Sequence, residues 1–143
     1  MKRRSIAVTL FLAVLGSACN RAVPAYPALV GITRIDVRTR LSGRDTTIES
    51  IANPDSIARV IDFVNARREG WEVPWSGVPV PVTIAEFYRG REFLGHVGAG
   101  AMFFETQRRD DFASRHATGE EVAAFNALLG IGTKVVVVPV KYP

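Results

Sequence analysis

One cysteine, two histidines and one short polar run carry most of the side-chain chemistry that this 143-residue chain can offer. Asp110, Ser114 and His116 lie in the stretch Gln107 to Ala117 (QRRDDFASRHA) and have the residue types of an orienter, a nucleophile and a base. So short a run seldom sets three such groups in line, and no oxyanion donor is identifiable beside them. The other constellations are His96 and His116 together as metal ligands with Glu86 or Glu105 contributing, and His96 or His116 with a carboxylate as a hydrolytic pair. Without HExxH-type spacing they depend wholly on tertiary proximity. The cluster Gly95 to Gly100 (GHVGAG) lacks the Lys and Ser/Thr that a phosphate loop needs, and no strand-to-helix context follows it. Its glycines are expected to mark a bulge or a tight approach between strands. The sequence therefore assigns no catalytic residue, no metal and no cofactor.

The cysteine has a more specific setting. Lys2, Arg3 and Arg4 form a positive start, Ser5 to Leu15 (SIAVTLFLAVL) follows as an uncharged apolar run, and Leu15-Gly16-Ser17-Ala18 leads into Cys19. A bilayer span takes about 20 apolar residues, so this run reads as a secretory signal and not as a membrane helix. The segment resembles the lipobox of bacterial lipoproteins, with Leu15 one position further back than the family's usual leucine. The resemblance implies cleavage before Cys19, diacylation of its thiol, and attachment of the mature chain to a membrane through lipid. Asn20, where an Asp would imply inner-membrane retention, implies the periplasmic side of an outer membrane if the cell has one. The alternative is a plain secretory signal with an incidental cysteine.

The chain divides accordingly into a signal peptide (1–18), a lipidated tether (19–31) and one domain (32–143). The chain has 18 Lys+Arg against 14 Asp+Glu; its first 18 residues hold three of the basic ones and none of the acidic ones, which leaves 15 against 14. A nucleic-acid partner, which requires a basic patch, loses its compositional support. With Cys19 committed to lipid the mature chain has no thiol nucleophile and no disulfide, so packing alone must stabilise it.

Thr33 to Leu41 alternates as a half-buried strand, Ser42-Gly43 turns the chain, and Arg44 to Ile51 returns. The polar face of the first strand carries Arg34, Arg38 and Arg40, an arginine stripe able to grip an anionic envelope component, or else a solvated face partly neutralised by Asp36 and Glu49. Asn53-Pro54-Asp55 starts a helix with Ile57, Val60, Ile61 and Val64 as its apolar stripe. Trp71 to Pro81 (WEVPWSGVPVP) cannot be helical, and its Trp71 and Trp75 are either a stacking platform for a partner or a cover over the end of a small core. Val82 to Val97 reads as a hairpin turning at Arg89-Gly90-Arg91, Ala101 to Thr106 as a further strand, and Gln107 to Ala117 as a loop. Thr118 with Glu121 forms a capping box before a second helix, and the valine-rich tail Thr133 to Pro143 argues for a strand added to the sheet or to a partner.

The expected fold is α+β, an antiparallel sheet of about five strands in the order β-β-α-β-β-β-α, with both helices on one face. The expected role is a lipid-anchored, non-enzymatic envelope protein that meets a protein or cell-wall partner through the sheet face, the tryptophan segment or the C-terminal strand. An inhibitor of an envelope hydrolase, or a hydrolase using His96 or His116, are the alternatives.

Overall fold

The computed structural model describes residues 21–41, 44–74, 77, 79–108 and 111–132. Cys19, Trp75, Asp110 and the tail from Thr133, all singled out in the sequence, lie outside them, as does the Ser42-Gly43 turn. The strands are β1 (Arg21–Ala22), β2 (Arg34–Leu41), β3 (Arg44–Ile51), β4 (Glu72–Val73), β5 (Thr83–Arg89), β6 (Glu92–Ala99), β7 (Phe103–Arg108) and β8 (Asp111–His116). They form one antiparallel sheet in the order β1-β4-β8-β7-β6-β5-β2-β3, and the helices α1 (Pro54–Asn65) and α2 (Gly119–Leu128) pack on one face.

Each helix starts where its local chemistry directs. Asn53 accepts from the Ser56 backbone N–H at 3.0 Å with Pro54 at the first helical position, which satisfies a donor that the first turn cannot pair internally. Thr118 Oγ1 accepts from Glu121 N at 3.1 Å while Glu121 Oε2 accepts from Thr118 N at 3.0 Å, the reciprocal capping box. Ile57, Val60 and Val64 of α1 and Phe125 of α2 turn down onto Ile35 and Val37 of β2, Ala85 and Phe87 of β5, Val97 of β6 and Phe104 of β7. Phe63, Phe104 and Phe125 meet edge to face or tilted at 5.4 to 6.0 Å. Burying each large side chain contributes roughly 1.5–3 kcal/mol, so this aromatic trio ties both helices to the sheet. Arg67 adds a polar tie, with Nε 3.0 Å from Glu121 Oε1 and its guanidinium 3.6 Å from the centre of the Phe63 ring.

Three expectations are corrected. Among the described residues the sheet has eight strands and not about five, because most of the run expected as a loop is strand: β8 pairs with β7 from Phe103↔His116 to Arg108↔Asp111, and the two-residue β1 and β4 extend that edge. The segment before β2 is not a free tether over its described part. Tyr26 and Leu29 are buried in the core, Tyr26 N donates to Arg68 O at 2.7 Å, and the Asn65 side chain bridges the N–H and C=O of Leu29 at 2.9 and 3.1 Å. In β6, strict alternation across the hairpin would put Phe93 on the same face as Val97, and the structure does not. A register shift beside Phe87/Tyr88 places Phe93 across from Tyr88 and leaves it 52% exposed, while Val97 is buried.

Gly98 shows why this hairpin can pack closely. A Cβ there would collide with Glu105 Oε1 and come within 2.7 Å of Pro81 Cβ, so the glycine is required by close approach, as the sequence led us to expect.

Candidate functional site

Alternation on β2 and β5 sends Ile35, Val37, Ala85 and Phe87 to the core and leaves Arg34, Asp36, Arg38, Arg40, Ile84, Glu86 and Tyr88 on the helix-free face. Register sets two carboxylates side by side, Asp36 across from Glu86, with His96 across from Glu86 on the other side, and arginines of β2 reach both acids. Arg34 Nε lies 3.1 Å from Asp36 Oδ1, which also accepts from Ser50 Oγ at 2.7 Å. Arg38 Nη2 lies 3.2 Å from Glu86 Oε2, and the Tyr88 hydroxyl donates to that same oxygen at 3.0 Å. The Arg34 guanidinium sits 4.2 Å from the centre of the Tyr88 ring. Burial pushes the Tyr88 hydroxyl above its ordinary pKa, and its hydrogen bond to the Glu86 carboxylate adds to the shift.

This ladder answers the question posed by the arginine stripe. Arg34 and Arg38 each have a carboxylate partner, and Arg40 continues the row on the same face. The neutralising residues are Asp36 and Glu86. Glu49 is not one of them, since it stands across from the inward-facing Val37 with its carboxylate against Gly130. Partly exposed pairs of this kind contribute about 0–1 kcal/mol each, so they order the face more than they stabilise the fold. Glu86 and Tyr88 are the members that reading β2 alone passed over; the sequence signal for them was the charged and aromatic alternation of β5.

Further along this face His96 Nε2 lies 2.9 Å from Glu105 Oε1, and Glu105 is only 3% exposed beneath Pro81. Glu86 stands across from His96, but the side-chain contact is to Glu105. Ser114 stands across from Glu105, so the spatial order is Ser, Glu, His. Nucleophilic catalysis needs the imidazole between the hydroxyl and the acid, and this arrangement does not place it there. His116 is exposed at the end of β8, two strands from β6. Among the described residues no three His, Cys, Asp or Glu side chains converge as a metal site.

Of the two readings of Trp71, a platform for a partner or a cover over the core, the structure has the cover. The Trp71 ring is 4% exposed, packs at 5.7 Å on Tyr26, and donates from Nε1 to Arg67 O at 3.0 Å, so it covers the end of the core and offers no platform to a partner. Trp75 and Cys19 lie outside the described residues. Among the described residues no helix is long and apolar enough to cross a membrane. Comparison of the chain with protein-family models, with curated proteins and with solved structures finds no match.

Proposed function

We propose that this chain is a lipid-anchored bacterial envelope protein, attached through Cys19 to the periplasmic side of an outer membrane where the cell has one, whose domain binds a protein or cell-wall partner and carries out no reaction. The observation that supports it best is the one-sided packing: both helices cover one face of the sheet, and the other presents the ordered ladder of Arg34, Asp36, Arg38 and Glu86. A rigid sheet face with paired, partly exposed charges suits recognition, because its groups are already held in place and lose little freedom on binding.

The test places a photo-crosslinking residue at Ile84, on the helix-free face, or at Ala58, on the exposed side of α1, in the membrane-attached chain in its own envelope. Crosslinks from position 84 and none from position 58 are expected; the reverse pattern, or none from either, removes the reading. Intact mass should show cleavage before Cys19 plus acyl chains, lost in Cys19→Ser.

A second reading has one observation in its favour. The contact between His96 and Glu105 resembles the way a carboxylate orients a catalytic imidazole, which would suit a hydrolase. Turnover of a substrate that survives His96→Ala removes that reading.

A further inference from the structure

Strand direction gives this sheet two distinct ends. At one end β5 turns into β6 between Arg89 and Glu92, and β7 passes into β8 between Arg108 and Asp111. β2 begins there, with Arg34 across from Tyr88. The first described residues also lie at this end: Arg21 pairs with Val73, and the antiparallel step from Glu72↔Ser114 directs Val73 toward the start of β8. Cys19 is two residues before Arg21. At about 3.3–3.6 Å per residue it can be no more than roughly 7 Å of chain away.

The two large exposed aromatic side chains among the described residues both lie at this end, whereas the opposite end exposes only the aliphatic Val80, Val82 and Met102. Phe93, second residue of β6, is 52% exposed; Phe112, second residue of β8, is 38% exposed; both stand on the helix-free face with β7 between them. Val30 is 69% exposed just before β2, where the neighbouring Gly31 meets the Arg89 side chain. Arg91 is exposed at the tip of the β5–β6 hairpin, where the neighbouring Arg89 is paired with Glu92 at 2.9 Å. Aromatic rings with an arginine at their margin suit a bilayer interface, where the rings leave water at headgroup depth and the guanidinium group meets anionic headgroups.

We infer that this end of the sheet, formed by Val30, Arg91, Phe93 and Phe112, rests on the surface of the lipid bilayer and holds the strands steeply to it. The inference rests on the proposed lipid attachment at Cys19, and it makes that attachment a two-point one. The acyl chains hold the protein to the membrane, and the hairpin end fixes its orientation, so that the Arg34–Glu86 ladder faces sideways along the envelope, accessible to a partner. Two acyl chains hold stably by themselves, and they keep the second, weaker contact at high local concentration at the bilayer.

The test uses the full acylated chain on vesicles of phosphatidylethanolamine and phosphatidylglycerol. Acylation blocks the Cys19 thiol, so Phe93→Cys, Phe112→Cys and Met102→Cys can each carry a single polarity-sensitive fluorophore; Met102 is 50% exposed at the opposite end of the sheet. The three positions are exposed, so none of the substitutions opens the core. Labels at 93 and 112 are expected to shift to the blue and to resist iodide quenching several-fold better than the label at 102. Arg91→Glu should weaken that protection without releasing the protein. Equal quenching at all three positions on vesicles that retain the protein overturns the inference and leaves the lipid attachment standing. Protein that stays off the vesicles, with an intact mass showing no acyl chains, overturns both.

Discussion

Glu105 Oε1 and His96 Nε2 lie 2.9 Å apart on the helix-free face, diagonal neighbours on β7 and β6, beneath Pro81. The carboxylate is almost wholly removed from water, and a buried acceptor that loses its donor costs about 1–3 kcal/mol, more when it is charged. His96→Ala should therefore lower stability by about 2–3 kcal/mol in urea unfolding. His96→Gln, which returns an N–H donor, should lose less. In a cycle with Glu105→Gln the coupling should exceed about 1 kcal/mol; purely additive single effects would mean that the contact contributes nothing.

Gly98 makes room for that pair. Gly98→Ala places a methyl group against Glu105 Oε1 and Pro81, neither of which can retreat far because both are buried. Overpacking of this kind costs about 1–3 kcal/mol. Gly132→Ala, where a Cβ meets nothing within 4 Å, is the control and should be close to neutral. Equal midpoints for the two variants would show that the sheet tolerates the added volume.

What could be read in the sequence follows the range of the interaction concerned. The caps at Asn53 and Thr118 are made within four residues, and both helix starts were legible. β2, β3 and β5 announce themselves by alternation. β8 does not: where its side chains are described, the core-facing positions hold a small Ala113 and Arg115, the latter bonded to Glu69 O and Glu121, and its largest apolar residue, Phe112, points outward. Pairing with β7 makes it a strand, and that is a non-local fact. The segment carrying Tyr26 and Leu29 was likewise hidden, because it is anchored by Arg68 and Asn65, some forty residues away in sequence. The arginine stripe was visible, yet its partner Glu86 sits on a strand whose neighbour only the sheet order reveals.

The junction of the helices with β8 should give the protein part of its acid sensitivity. Glu121 is held below the ordinary carboxyl pKa first by the hydrogen bond from the Thr118 backbone N–H, then by Arg67 and Arg115. A group whose pKa is lower folded than unfolded adds stability that is fully present above the unfolded value, near 4.5, and is lost as pH falls through the folded one. Glu121→Gln should therefore be less stable than the parent at pH 7, with the gap closing below about pH 4.5. A gap of constant size in urea midpoints from pH 7 to 3 would assign the loss to packing. Thr118→Ala, which removes the other half of the box, should cost about 1 kcal/mol.

Trp71 tests whether the tryptophan segment recognises anything or only closes the core. Its ring seals the space between Tyr26 and the end of α1, and its indole N–H satisfies the Arg67 carbonyl just past the last helical turn. Trp71→Ala should cost about 3–5 kcal/mol, because the cavity adds to the lost burial. Trp71→Phe keeps an apolar ring against Tyr26 but strands that carbonyl, at about 1–3 kcal/mol. Because so little of the indole reaches solvent, Trp71→Phe should leave crosslinking from Ile84 on the opposite face unchanged in pattern under conditions where the variant stays folded. Loss of those crosslinks from a folded Trp71→Phe protein would return Trp71 to the binding surface and show that the partner reaches around the sheet edge formed by β1 and β4.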